Sequence, residues 1–177
     1  MASEPFLIAV LTDIIRGLNA QRVDYALAGG FAYSALVEPR ATTDLDLLVL
    51  LEDPSPEKLV GLFRPVFDAV LPHPAPMVFK RMSIWRVVGT RGGREAIVDL
   101  LLAQSDFHRK VLERKREVDF LGLMLPIVTI EDLVLLKAMA GRLQDLADLE
   151  RIKQQPGLQI DREYVRSWQV KLGLDPI

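Results

Sequence analysis

Residues 26–51 read ALAGGFAYSALVEPRATTDLDLLVLL, and this segment decides the fold class. Its apolar run over 43–51 carries two carboxylates, Asp44 and Asp46, one residue apart. Successive strand side chains point to opposite faces, so Asp44 and Asp46 share a face while Leu45 and Leu47 point away. Acids in such a run are costly without a partner, so either a cation sits there or the strand end opens to water. Upstream, Gly29-Gly30 ends a short alternating stretch over 23–28 and precedes FAYSALVE, which reads as a short helix. At a strand-to-helix turn, glycines let backbone N–H groups approach a phosphate, and a helix N-terminus favours anions.

Working outward, apolar spacing predicts a helix over 4–19, with Ser3 as cap and Pro5 in its first turn. Beyond Asp53-Pro54 a helix is expected over 55–70, followed by the loop LPHPAP. Two strands, 78–88 and 95–103, are joined by the turn GTRGG, and a basic helix is expected over 105–117. Residues 120–128 read as extended. Thr129 and Asp132 form a Thr-x-x-Asp capping box that opens a helix to about Ala140. Helices over 142–154 and 161–172 follow, divided by Gln155-Pro156-Gly157. The order is mixed α/β over 1–127 and helical over 128–177, without internal repeats.

With 177 residues, the chain is long enough for one domain with a small appended region. It has no cysteine, which excludes disulfides, iron–sulfur clusters and thiol catalysis. His73 and His108 lie far apart in sequence, against a histidine-rich zinc site. A metal would therefore be held by carboxylates, which favours magnesium or manganese. The N-terminus opens on an acid, and no apolar run approaches the roughly 20 residues that span a bilayer. A cytoplasmic, membrane-free protein is expected. Net charge is −2, yet residues 80–116 hold ten basic and four acidic side chains. That excess suits a polyanion, or is simply a solvated, salt-bridged surface.

A third acid, Asp99, interrupts the apolar run AIVDLLLA. If its strand lies beside 43–51, three carboxylates share one surface and suit two hard cations that stabilise phosphate charge. Structural alternatives stand beside each site residue. Asp44 and Asp46 would be solvent-facing acids, and Asp99 would pair with a base in 80–94. Lys137 would snorkel from an apolar helix. Arg142, Asp145 and Asp148 would be surface i,i+3 pairs, and Arg40 and Thr42 would shape a loop. Tyr25, Trp85 and Trp168 read as packing residues.

Gly29-Gly30, thirteen residues, then Asp44-Leu45-Asp46 resembles the signature of the DNA polymerase β-like nucleotidyltransferase superfamily, with Asp99 matching its third acid. EPRATTDLDLLV is similar to the Arg-x-Thr-x-Asp-x-Asp form in small bacterial members. DLVLLKAMAGRLQDLADLERI is similar to a helix of the abortive-infection (AbiEii-like) toxins. The resemblance implies an α+β fold, a mixed sheet flanked by helices, with 1–127 as catalytic core and 128–177 closing the cleft. It implies transfer of a nucleoside monophosphate from an NTP to an acceptor hydroxyl. Asp44, Asp46 and Asp99 would hold magnesium or manganese, and Asp99 would help deprotonate the acceptor. Gly29 and Gly30 would hold the triphosphate and Lys137 would reach it. Asp145, Arg40 and Thr42 would complete the nucleotide site. RNA, tRNA or a protein is the expected acceptor, and a cognate antitoxin protein an expected partner. An antibiotic-like small molecule, or a binding module without turnover, are the alternatives. One departure is the second glycine, where many members carry serine.

Overall fold

Helical spacing puts Leu7, Val10, Leu11, Ile14 and Leu18 on one stripe, and all five are buried in α1, Glu4–Ala20. The computed structural model describes residues 4–79, 81–120 and 122–176, so Ser3, the expected cap of this helix, lies outside the described residues. Strand β1 (Asp24–Leu27), helix α2 (Gly29–Leu36) and strand β2 (Asp44–Leu50) follow in the order expected. Next come α3 (Pro56–Phe63), β3 (Ala69–Pro72), β4 (Met77–Phe79), β5 (Met82–Arg91) and β6 (Arg94–Leu102). Then α4 (Asp106–Arg114), β7 (Arg116–Phe120), β8 (Leu123–Ile127), α5 (Ile130–Ala140), α6 (Leu143–Gln154) and α7 (Arg162–Leu172) complete the described chain.

The strands form one eight-stranded mixed sheet in the order β3-β5-β6-β2-β1-β8-β7, with β4 also pairing β5. The β2–β6 and β1–β8 pairs are parallel and the others antiparallel. Apolar positions of β2 and β6 are buried on both faces, as central strands covered by helices require. The fold is α+β, with a mixed sheet flanked by seven helices among the described residues. Among the described residues no helix is long and apolar enough to cross a membrane.

Several boundaries differ from expectation. The helix expected over 55–70 stops at Phe63: Arg64 is still helical and donates to the Val60 carbonyl, but Pro65 has no N–H to continue the ladder, and Ala69 already begins β3. Leu71 and Pro72 of the expected LPHPAP loop belong to β3, an edge strand where proline costs no ladder bond. Residues 78–88 divide between β4 and β5, and β5 runs on to Arg91, leaving Gly92-Gly93 as the turn. The helix expected over 105–117 ends at Arg114. Residues 116–127 form a hairpin of β7 and β8, with Gly122 at φ +80°.

Helix α5 is buried on nearly every side, as an apolar helix without an amphipathic face should be. Its start is half of the expected capping box: Asp132 N–H donates to Thr129 Oγ1 (3.3 Å), but the Asp132 carboxylate accepts from the Thr129 hydroxyl (2.9 Å) in place of the Thr129 backbone N–H. Asp132 also accepts from Tyr164 Oη at 2.7 Å and pairs with Arg114 at 3.3 Å. These bonds tie α7 and α4 to the base of α5.

Candidate active site

Strands β2, β6 and β5 are neighbours, and their register aligns three charges. Asp46 pairs with Asp99 across the parallel β2–β6 ladder, and Asp99 pairs with Arg86 across the antiparallel β6–β5 ladder. Asp44, two residues before Asp46, shares that face. Arg86 grips Asp99 with two bonds, Nε to Oδ1 at 2.8 Å and Nη2 to Oδ2 at 2.7 Å. Its Nη2 also lies 3.8 Å from Asp44 Oδ2. The hydrogen-bonded Asp99 pushes the Arg86 pKa up. The partner of Asp99 thus comes from the basic stretch 80–94. Arg86 itself was missed by sequence reasoning, since its pairing depends on which strand adjoins β6.

Asp46 has a different environment. Its Oδ2 accepts from Gly30 N–H at 3.3 Å, and among the described residues no cationic side chain forms an ion pair with it. Burial, and then the charge of Asp99, push its pKa up to about 6. Gly29 has φ +54°, and a Cβ there would overlap the Asp46 carboxylate. Gly30 is also tight: a Cβ would sit 2.6 Å from Thr42 Oγ1, which in turn donates to the Asp44 carbonyl at 3.1 Å. We expect Gly29→Ala to cost about 1–2 kcal/mol from the left-handed backbone alone. It should also displace Asp46, so the loss read by thermal melting should exceed that figure. An unchanged melting temperature would show that the close approach is dispensable.

The helical side of the site is a buried ion network. Asp148 is fully buried and accepts from Lys137 Nζ at 2.5 Å, Arg40 Nη1 at 2.6 Å and Gln144 Nε2 at 3.0 Å. Asp145 lies 3.5 Å from Lys137 Nζ and accepts from Arg142 Nε at 2.7 Å and Arg142 N–H at 3.2 Å. Arg40 stacks over the Tyr33 ring at 4.7 Å. Lys137 is 4% exposed, so it points into carboxylates and does not snorkel to water. Asp145 and Asp148 are likewise buried, which corrects their reading as surface pairs; Arg142 alone is exposed. Asp148 was left out of the expected site. Its signal was the Asp-x-x-Asp spacing, which puts both acids on one helix face toward Lys137.

Two clefts meet at Asp46. A polar one of about 410 Å³ is lined by Gly29, Gly30, Arg40, Thr42, Asp44, Asp46, Lys137 and Asp145, eight of the nine expected site residues. A smaller one, about 270 Å³, holds the ninth, Asp99, and runs away from the acids over apolar side chains.

Among the described residues no three His, Asp or Glu side chains come close enough together to hold a metal ion. Asp44 and Asp46 nonetheless fit a divalent cation: they share a face, line the cleft with their carboxylates, and among the described residues Asp46 forms no ion pair. Asp99 is in the same row, with both oxygens engaged by Arg86.

The fold has solved counterparts. A Thermotoga maritima protein assigned as a nucleotidyltransferase aligns with TM-score 0.51 at 15% identity, covering 96% of each chain. ANT(2'')-Ia, solved with adenylyl-2''-tobramycin, aligns with TM-score 0.56 at 12% identity, over 94% of this chain and 97% of that one. The lincosamide antibiotic adenylyltransferase LnuA, solved with lincomycin, aligns with TM-score 0.51 at 15% identity, over 86% and 97%. At these identities the likeness shows the shared fold. No curated protein matches the chain. The family model described as "Nucleotidyl transferase of unknown function (DUF2204)" matches residues 8–175, nearly the whole chain, and the protein belongs to that nucleotidyltransferase family.

Proposed function

We propose that the protein moves a nucleoside monophosphate from an NTP to an acceptor hydroxyl at the junction of the two clefts. The observation that carries this reading is Asp46 between them, with Asp99 beside it on the next strand. The triphosphate lies in the polar cleft, where the positive end of α2 at Gly29 faces phosphate oxygens while the Gly30 N–H holds Asp46 in place. Lys137 and Arg142 line the opposite wall as N–H donors, each already paired with an acid of α6. Residues 128–177 close the cleft, because α5 and α6 bring both of these side chains to it.

A magnesium or manganese ion held by Asp44 and Asp46 would neutralise charge developing on the phosphate oxygens. Asp99 keeps free lone pairs while bonded to Arg86, and its carboxylate takes the acceptor's proton. The acceptor oxygen then bonds to the α-phosphorus. The bond from that phosphorus to the bridging oxygen breaks, and pyrophosphate leaves with the electron pair. Arg86 fixes the direction in which Asp99 faces the acceptor. Arg86→Met leaves buried Asp99 without a cation, and is expected to cost about 1–3 kcal/mol and about a hundredfold in turnover. Thermal melting and kcat check both, and an unchanged kcat would remove Arg86 from the site.

The reading is tested by pyrophosphate release from each NTP with magnesium. Release should be abolished by EDTA and by Asp44→Asn; release indifferent to both would refute it. The toxin role, with its antitoxin partner, rests on the α5–α6 sequence motif alone.

A further inference from the structure

The smaller cleft carries an inference about the acceptor, which rests on the transfer reading above. Its walls beyond the acids are Met77 and Phe79 of β4, Met82 and Ile84 of β5, Leu101 of β6 and Leu136 of α5. Among the described residues the three cations on its rim are paired, and the acid left without an ion pair, Asp46, is the one read above as holding the metal. Arg86 is spent on Asp99, Arg142 on Asp145, and Lys137 on Asp148 and Asp145. A polycation needs spare carboxylates, and an RNA needs a run of unpaired cations along its phosphates. Among the described residues of the apolar wall neither is present, while an apolar body gains by leaving water there. Met77 and Phe79 are about 40% exposed on a short edge strand, so burying them is left for a ligand to do.

We infer that the acceptor is a small molecule with an apolar body and one hydroxyl directed at Asp99, seated between the β4–β5 hairpin and α5. The site is continuous with the acids: Asp46 lies at its mouth and Asp99 on its wall. A hydroxyl at the polar end reaches Asp99, and the body extends along Ile84 and Leu136. The same cleft as a nucleobase pocket is the competing occupant, and the test separates them.

The probe is 2-naphthylmethanol, an apolar alcohol whose own fluorescence reports binding without turnover. The expected result is saturable, one-to-one binding by the wild type that neither tobramycin nor an RNA oligonucleotide displaces. Met77→Asp and Phe79→Asp sit at half-exposed edge positions, so they test the cleft without opening the core. Each should weaken probe binding at least tenfold. With magnesium and NTP, each should raise the KM for the alcohol by the same factor and move the KM for NTP less than twofold. Absence of saturable binding, displacement by tobramycin or RNA, or a shift confined to the KM for NTP would overturn the assignment. Those failures with Asp44-dependent pyrophosphate release intact sink the cleft alone. Loss of that release sinks the transfer reading.

Discussion

Asp46→Asn is expected to lower nucleotidyl transfer by about a hundred- to a thousandfold while the fold survives. The change removes a carboxylate proposed to hold the cation and keeps its shape, so the Gly29 approach and the Gly30 N–H bond are retained. It also has an opposite effect on stability. Burial and Asp99 hold the folded pKa of Asp46 at about 6, against 3.8 for the free side chain. A raised carboxyl pKa means that the folded state disfavours the ionised form, so stability is lost as pH rises from about 4 through 6. In EDTA the asparagine variant should therefore match the wild type near pH 4 and melt at a higher temperature above pH 7. Manganese should then raise the melting temperature of the wild type and leave the variant unmoved, because binding stabilises only the state that holds the ion. A variant as active as the wild type, or one less stable at pH 7.5 without metal, would contradict the assignment.

The second large effect falls on Asp148, which touches neither strand acid. Asp148→Ala leaves Lys137 and Arg40 buried or half-buried without their shared carboxylate. Breaking such a pair costs about 3–5 kcal/mol, because the remaining charge stays desolvated. For a chain of this size that corresponds to about a 10 °C fall in melting temperature. Lys137→Met should cost less, since Asp148 would keep Arg40 and Gln144. A melting temperature within 2 °C of wild type for Asp148→Ala would show that water or a rearranged side chain already compensates.

The centre of the molecule was legible because its signals are local. Gly29-Gly30 and Asp44-x-Asp46 lie within one strand-helix-strand segment, and alternation alone puts the two acids on one face. Asp99 was visible as a charge in an apolar run. Its neighbour Arg86 was not, because the bond joins residues thirteen positions apart through a hairpin whose register no periodicity states. Helix α6 misled for a related reason. Its sequence is polar enough to read as a surface helix, yet Lys137 on α5 draws Asp145 and Asp148 inward. The edge strands β3 and β7 are short and largely exposed, and β8 beside β7 is equally short, so their pattern is weak. There a single proline or glycine set the boundary.

The central claim is that an NTP is broken between its α- and β-phosphates at Asp44, Asp46 and Asp99. Its most direct test is a paired incubation with α-labelled and γ-labelled NTP, magnesium, and 2-naphthylmethanol or a bacterial small-molecule extract as acceptor. The account predicts α-label on the acceptor and γ-label released as pyrophosphate, with both lost in Asp44→Asn. γ-Label on the acceptor, or transfer that persists in Asp44→Asn, would contradict it.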